Sequence, residues 1–189
     1  RSGHIMSPFD PFQYVAPVML SCQLLQRVIF PPLEQDPHGL QKLGWDDPIP
    51  PQFDKQWHEM IKTIQEVRNI KVKRPFYPAG SGTPKQQCLY AFADASDIAI
   101  CFVIYLRTVT DLGHIYVSLV AGSSMVIPRG TCIKGLLSIP RAELCAADAL
   151  AMAVFQIKNE LGIKDLEARY FSKSEGPRSG KGVRTRWAP

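Results

Sequence analysis

Two carboxylates in this chain are placed so that they could hold a divalent metal. Asp94 closes the run Cys88-Leu89-Tyr90-Ala91-Phe92-Ala93-Asp94-Ala95-Ser96, and Glu143 lies in Ser138-Ile139-Pro140-Arg141-Ala142-Glu143-Leu144. The first run alternates as a strand does, with Cys88, Tyr90, Phe92 and Asp94 on one face and Leu89, Ala91 and Ala93 on the other. Both faces are largely apolar, so a central strand buried on two sides is expected, with Asp94 at the sheet's rim. The second run opens a helix: Pro140 suits the first helical position, and Glu143 falls in the first turn. A carboxylate ending a strand and another opening a helix can converge on one ion. Without a metal, Asp94 reads as a strand-end turn former and Glu143 as a favourable charge at a helix N-terminus.

The elements that must position this pair follow from periodicity. Strands are predicted over 87–94, about 99–108 and 113–121, with Asp111-Leu112-Gly113 as the turn between the last two. Cys101, Val103 and Tyr105 on one face, and Phe102, Ile104 and Leu106 on the other, predict burial on both sides. A loop over 122–137 leads to a helix over 140–161. Its expected apolar stripe is Leu144, Ala147, Leu150, Val154, Ile157 and Leu161, and Gly162 closes it. A fourth strand, 166–171, runs into Ser172-Lys173-Ser174-Glu175. Upstream, a helix over 15–30 shows Val18, Leu25 and Ile29 near one face, with Leu24 and Val28 beside them. It is stopped by Pro31-Pro32. A second, from Phe53 to about Asn69, shows Trp57, Ile61, Ile64 and Val67 at helical spacing. Ile70 to Pro75 alternates like a short exposed strand. Asp46 and Asp47 are adjacent carboxylates, but before Pro48 turn and cap chemistry is the default.

Ala93-Asp94-Ala95-Ser96, a hairpin, and then Ile139-Pro140-Arg141-Ala142-Glu143-Leu144 resembles the ribonuclease H-like domain of BEL/Pao long-terminal-repeat retrotransposon polyproteins. That family shows Asp-Ala-Ser, a pair of strands and Ile-Pro-Arg-Leu-Glu-Leu in the same order. Ser7-Pro8-Phe9-Asp10-Pro11 and Gly44-Trp45-Asp46-Asp47-Pro48 resemble the segment that precedes the domain in those polyproteins. The resemblance covers roughly Ser7 to Glu175. It implies an α/β (α+β, mixed-sheet) ribonuclease H-like fold, incomplete, preceded by a helical connection segment. The expected division is a connection segment over 1–78, a truncated ribonuclease H-like domain over 85–175, and a basic, disordered tail over 176–189. The implied activity is hydrolysis of the RNA strand of an RNA/DNA hybrid with Mg2+ or Mn2+ bound by carboxylates, Asp94 and Glu143 matching the first two. Two ions about 4 Å apart would activate water and stabilise the leaving oxygen. The family's third carboxylate falls on Lys173, and its fourth has no counterpart before the chain ends. A Lys at that position would repel a metal or form a salt bridge. Impaired cleavage is therefore expected, or a non-catalytic remnant that folds or binds nucleic acid weakly. The implied partners are an RNA/DNA hybrid or other nucleic acid and the rest of a retroelement polyprotein.

Composition narrows the alternatives. The chain has 189 residues and a net charge of +5, of which +4 lies between Lys173 and Arg186. A basic tail can contact phosphates, though Gly- and Ser-rich tails commonly lack order. No run approaches the roughly 18 apolar residues of a membrane span, so no membrane partner is expected. The N-terminus lacks both the apolar core of a signal peptide and an initiator Met, so a fragment of something longer is expected. Five scattered cysteines without Cys-x-x-Cys argue against a disulfide framework or a zinc site and for a reducing, intracellular setting, cytoplasmic or nuclear. The chain has neither the Asp-Thr-Gly nor the Asp-Ser-Gly loop of an aspartic peptidase, and no Gly-rich phosphate loop.

Overall fold

The computed structural model describes residues 10, 12–30, 47–67, 69–72, 75–127, 138–163, 165–173 and 184–187; for 173 and 184–187 the description is of strand pairing. The chain divides into two compact units, Arg1–Val72 and Lys73–Pro189.

Among its described residues, the first unit is a pair of helices. The Asp10 carboxylate accepts the Tyr14 and Val15 N–H groups at 2.9 and 2.8 Å. These donors would otherwise be orphaned ahead of α1, Ala16–Ile29. Pro17 occupies the first turn, where its missing N–H costs nothing. Helix α2 spans Pro51–Val67. Cys22 and Ile29 of α1 form one apolar cluster with Phe53, Trp57, Met60 and Ile64 of α2. The core face of α2 is thus rotated from the expected Trp57–Ile61–Ile64–Val67 stripe: Ile61 and Val67 are half-buried, and Phe53 and Met60 take the inner positions. On α1, Val28 is exposed. Residues 70–72 and 75 form no strand, contrary to their alternation, and Ile70 and Val72 are exposed. An alternating segment becomes a strand only where a neighbour accepts its backbone hydrogen bonds. The Asp46 position lies outside the described residues, and Asp47 is exposed.

The described residues of the second unit form a mixed sheet with one long helix. Strands β1 (Pro84–Ala95), β2 (Ala99–Thr110) and β3 (Ile115–Val126) form an antiparallel meander. Helix α3 (Ile139–Leu161) then returns the chain to β4 (Glu167–Lys173), which lies parallel to β1. A short β5 (Arg184–Trp187) pairs antiparallel with β4, giving the order β3-β2-β1-β4-β5. The predicted strand, strand, strand, helix, strand order and the α+β mixed sheet are present. Most strand boundaries shift by one to three residues from expectation, β1 beginning at Pro84 rather than 87 and β3 at Ile115 rather than 113; two differences are larger. β3 continues to Val126, past the predicted loop start at 122, because a bulge opposite Ile104 and Tyr105 resets its register with β2. Residues 184–187 are paired rather than disordered, since the outer edge of β4 offers unpaired backbone groups to any strand that reaches it. The rest of the expected tail lies outside the described residues.

The core lies between the sheet and α3, which packs over β1, β2 and β4. Leu89, Ala91, Ala93, Ile104 and Leu106 meet Ala146, Leu150 and Val154 there. The small side chains of Ala91, Ala93, Ala142 and Ala146 let helix and sheet approach closely, and they set the helix's rotation. Its inner stripe is therefore Ala142, Ala146, Leu150 and Val154, whereas Leu144, expected inside, is 70% exposed. Gly162 closes the helix at φ 59°, a left-handed conformation that Gly adopts without cost. The opposite sheet face differs more. Among the described residues of this unit no helix covers it; along β1 this face passes from buried Cys88 through half-buried Tyr90 to Phe92, which is 39% exposed. Alternation reveals that two faces are apolar; it does not reveal that a second layer covers both.

One further contact fixes the far end of the sheet. Asp111, in the β2–β3 turn, accepts Thr83 N–H at 2.9 Å and the Thr83 hydroxyl at 2.8 Å. Its own N–H bonds to Thr83 O at 3.0 Å. This latch ties the chain entering β1 to the neighbouring hairpin turn.

Candidate active site

Asp94 is the penultimate residue of β1 and is exposed at its C-terminal end. Its position is set by the hairpin that follows. The Ser96 hydroxyl accepts the Ala99 N–H at 3.1 Å and the Ile98 N–H at 3.3 Å, while Ser96 N–H bonds to Ala99 O at 2.9 Å. The serine of Ala93-Asp94-Ala95-Ser96 therefore builds the turn, a hydroxyl doing the work of a backbone acceptor. Asp94 Oδ1 accepts the Ala95 N–H at 2.9 Å.

Because β1, β3 and β4 all run the same way, their C-terminal ends share one rim. Helix α3 starts after β3 and runs back toward the start of β4, so its first turn, with Glu143, belongs to that rim too. Topology thus brings Asp94 and Glu143 to one end of the sheet. Their surroundings differ. Ala93 points into the core against α3, so alternation sends Asp94 to the other, open face. Glu143 is half-buried beside core-facing Ala142. Among the described residues, neither carboxylate has an ion-pair partner.

The third position of the rim belongs to β4. Ala93 pairs with Ser172, so the next residue, Lys173, stands level with Asp94 in the adjoining strand. The expected Lys at the third carboxylate position is therefore a direct strand neighbour of the first. Among the described residues, no cluster of three or more His, Cys, Asp or Glu could hold a metal. Two carboxylates and a lysine position do not fit a magnesium site, which needs several hard oxygen ligands around the ion.

Sequence reasoning did not single out the neighbours of this rim on the open face. Cys101 pairs with Asp94 across the β1–β2 ladder, and its thiol is pushed up by burial and then by the Asp94 charge. Further down the same face, Arg169 stacks over Tyr90. Arg169 and Arg107 both lower the Cys88 thiol, though burial outweighs them and the net direction is up. Alternation placed Cys88, Tyr90 and Phe92 together, but only the β1–β4 pairing brings Arg169 and Phe171 alongside.

Comparison with known proteins accords with this arrangement. Neither curated proteins nor solved structures give a match. A family model does match, over residues 2–174, and it describes a Pao retrotransposon-like RNaseH-like domain. That match takes in both the helical unit and the mixed sheet through β4, and the chain belongs to the Pao retrotransposon-like RNaseH-like domain family.

Proposed function

We propose that this chain is a ribonuclease H-like domain whose ancestral chemistry, metal-dependent hydrolysis of the RNA strand of an RNA/DNA hybrid, is severely weakened. The observation that carries the reading is the Ala93–Ser172 register, which sets Lys173 level with Asp94. In the ancestral arrangement Asp94 and Glu143 would be metal ligands and catalytic residues. Domains of this kind generally depend on a divalent metal, whose role is to activate water and stabilise the leaving oxygen. A cation at a ligand position opposes such binding by direct repulsion. The second reading, a non-catalytic remnant that folds and binds nucleic acid weakly, rests on the same lysine. The setting proposed is intracellular, cytoplasmic or nuclear, within a retroelement polyprotein. The helical unit that the family model also covers supports that context.

The test is cleavage of a labelled RNA/DNA hybrid with Mg2+ or Mn2+, beside Asp94→Asn. The expected result is no cleavage above the Asp94→Asn control in a chain that circular dichroism shows to be folded. Robust cleavage abolished by Asp94→Asn would show that the remaining ligands suffice and would sink the proposal of lost activity. Lys173→Asp then asks whether restoring the third carboxylate restores metal binding, read by calorimetry independently of turnover.

A further inference from the structure

The latch between Thr83 and Asp111 is built on a hydroxyl of the kind that protein kinases modify. Thr83 is exposed, and Pro84 follows it. The chain has one other Ser or Thr directly before a proline, Ser7. Residues 75–83 belong to no helix or strand, and Pro84, Lys85 and Gln86 at the start of β1 are exposed. The β1–β2 register is interrupted between Pro84 and Gln86, and β4 pairs with β1 from Cys88 onward. This stretch is therefore held by one neighbouring strand and the latch, and exposed segments with few partners open locally at low cost. A kinase cleft, which takes its substrate as an extended chain, has access to it in that opened state. The other hydroxyl of the loop differs. Ser81 is 5% exposed, donates to Pro78 O and precedes a glycine.

A phosphoryl group on Thr83 reverses the sign of the contact. The hydroxyl donates to Asp111 Oδ2 at 2.8 Å, and Thr83 N–H donates to Oδ1 at 2.9 Å. Phosphorylation removes the O–H donor and adds a charge of about −1.5 to −2 at pH 7. A donor facing a carboxylate becomes an anion facing a carboxylate. Among the described residues no ion pair engages Asp111, so no cation is already in contact to offset the new charge. Gly82 adds to the effect, because its α-carbon sits so close to the Asp111 carboxylate that even a methyl group would collide with it.

We infer that Thr83 is a phosphorylation site for a proline-directed kinase, and that its modification releases the latch and loosens the end of the sheet opposite the rim. The γ-phosphoryl group of a nucleoside triphosphate passes to Thr83 Oγ1. The bond to the β,γ-bridging oxygen breaks, the nucleoside diphosphate leaves, and the hydroxyl proton goes to the kinase's base. The inference goes beyond the hydrolytic reading and involves neither a metal at the rim nor nucleic acid, so the two fail separately. The experiment incubates the whole chain with a purified mitogen-activated protein kinase and Mg-ATP, maps the phosphate by mass spectrometry, and then follows hydrogen exchange. Phosphate is expected on Thr83, distinguished by the mapping from Ser7, and none on Ser81. Peptides covering the start of β1 and the β2–β3 turn should then exchange about tenfold faster, the order expected when bonds to a charged acceptor are lost. Asp111→Ala has already lost the carboxylate, so modification should add no further increase there. Asp111→Asn is the second background if Asp111→Ala fails to fold; its amide can donate to the phosphate, so the increase should be clearly smaller than in wild type. Absence of phosphate on Thr83 overturns the inference. So does exchange that modification leaves unchanged, or an increase as large in the folded Asp111 variants as in wild type, because the carboxylate would then play no part.

Discussion

Gly82→Ala tests the latch between the start of β1 and the β2–β3 turn. Gly82 has φ +91°, and a Cβ built there would lie 2.1 Å from Asp111 Oδ1 and 3.0 Å from Leu112 Cγ. Ordinary contact begins at 3.4 Å, so the carboxylate must retreat by on the order of 1 Å, which takes its bonds to Thr83 out of hydrogen-bonding range. Two costs are therefore combined, backbone strain and loss of the latch. Gly113 separates them: its φ is +81°, but a Cβ there meets nothing within 4 Å. Gly113→Ala should cost only the strain, about 1–2 kcal/mol, and Gly82→Ala should cost clearly more. In an Asp111→Ala background the displaced carboxylate is gone, so Gly82→Ala should fall back toward the Gly113→Ala value. The assay is hydrogen exchange of β1 and β2 peptides, which reads opening of the sheet unit without mixing in the helical unit. Equal costs for Gly82→Ala and Gly113→Ala, or no relief in the Asp111→Ala background, would refute the latch.

Three other outcomes follow from the same structure. The Thr83 hydroxyl, then its N–H, holds the Asp111 carboxyl below the usual carboxylate range. Its contribution is therefore fully present above about pH 3.9 and is lost as pH falls through the lowered folded value. Asp111→Asn should flatten the acid limb of an exchange-versus-pH profile. Leu150→Ala, 2% exposed in the core, should cost about 2–5 kcal/mol in urea unfolding. Leu144→Ala, 70% exposed, should stay within about 0.5 kcal/mol; a loss at Leu144 as large as that at Leu150 would mean the helix is rotated as its sequence stripe suggested. Lys173→Asp should raise Mn2+ affinity at the rim, read by calorimetry, and an unchanged titration would remove the charge-repulsion argument.

Much of the fold was legible because its signals are local. The Asp94 strand, the Gly113 turn, the proline-led start of α3 and its Gly162 end each rest on a few neighbouring residues, and each appears in the structure. What was not legible depends on pairing. The inner stripe of α3 was misplaced by including Leu144, since alanines score weakly as apolar, yet Ala142 and Ala146 are among the helix's buried residues. Burial of β1 on both faces was overestimated because Tyr90 and Phe92 look the same in sequence whether or not a layer covers them. The strand at 184–187 hides in a basic stretch, and only the free edge of β4 recruits it. For the rim, Asp94 and Glu143 were found by motif and Lys173 by its absence from one. That Lys173 stands beside Asp94 is a matter of inter-strand register, which no local pattern encodes.

The connection between β3 and β4 also has a kinetic consequence. The β1–β2–β3 meander closes through short turns, so its contacts are near in sequence and cheap in loop entropy. β4 reaches β1 only by parallel pairing, after the hairpin and all of α3 have intervened, so Cys88 waits for Glu167. Non-local parallel pairing is the slow step of such topologies. The meander should therefore be acquired first, and the β1–β4 seam that carries Asp94 and Lys173 last. Pulse-labelling exchange during refolding would show this as late protection of β4, and simultaneous protection of β2 and β4 would contradict it. An order of this kind leaves the rim as the part of the sheet unit most sensitive to whatever else the nascent chain encounters.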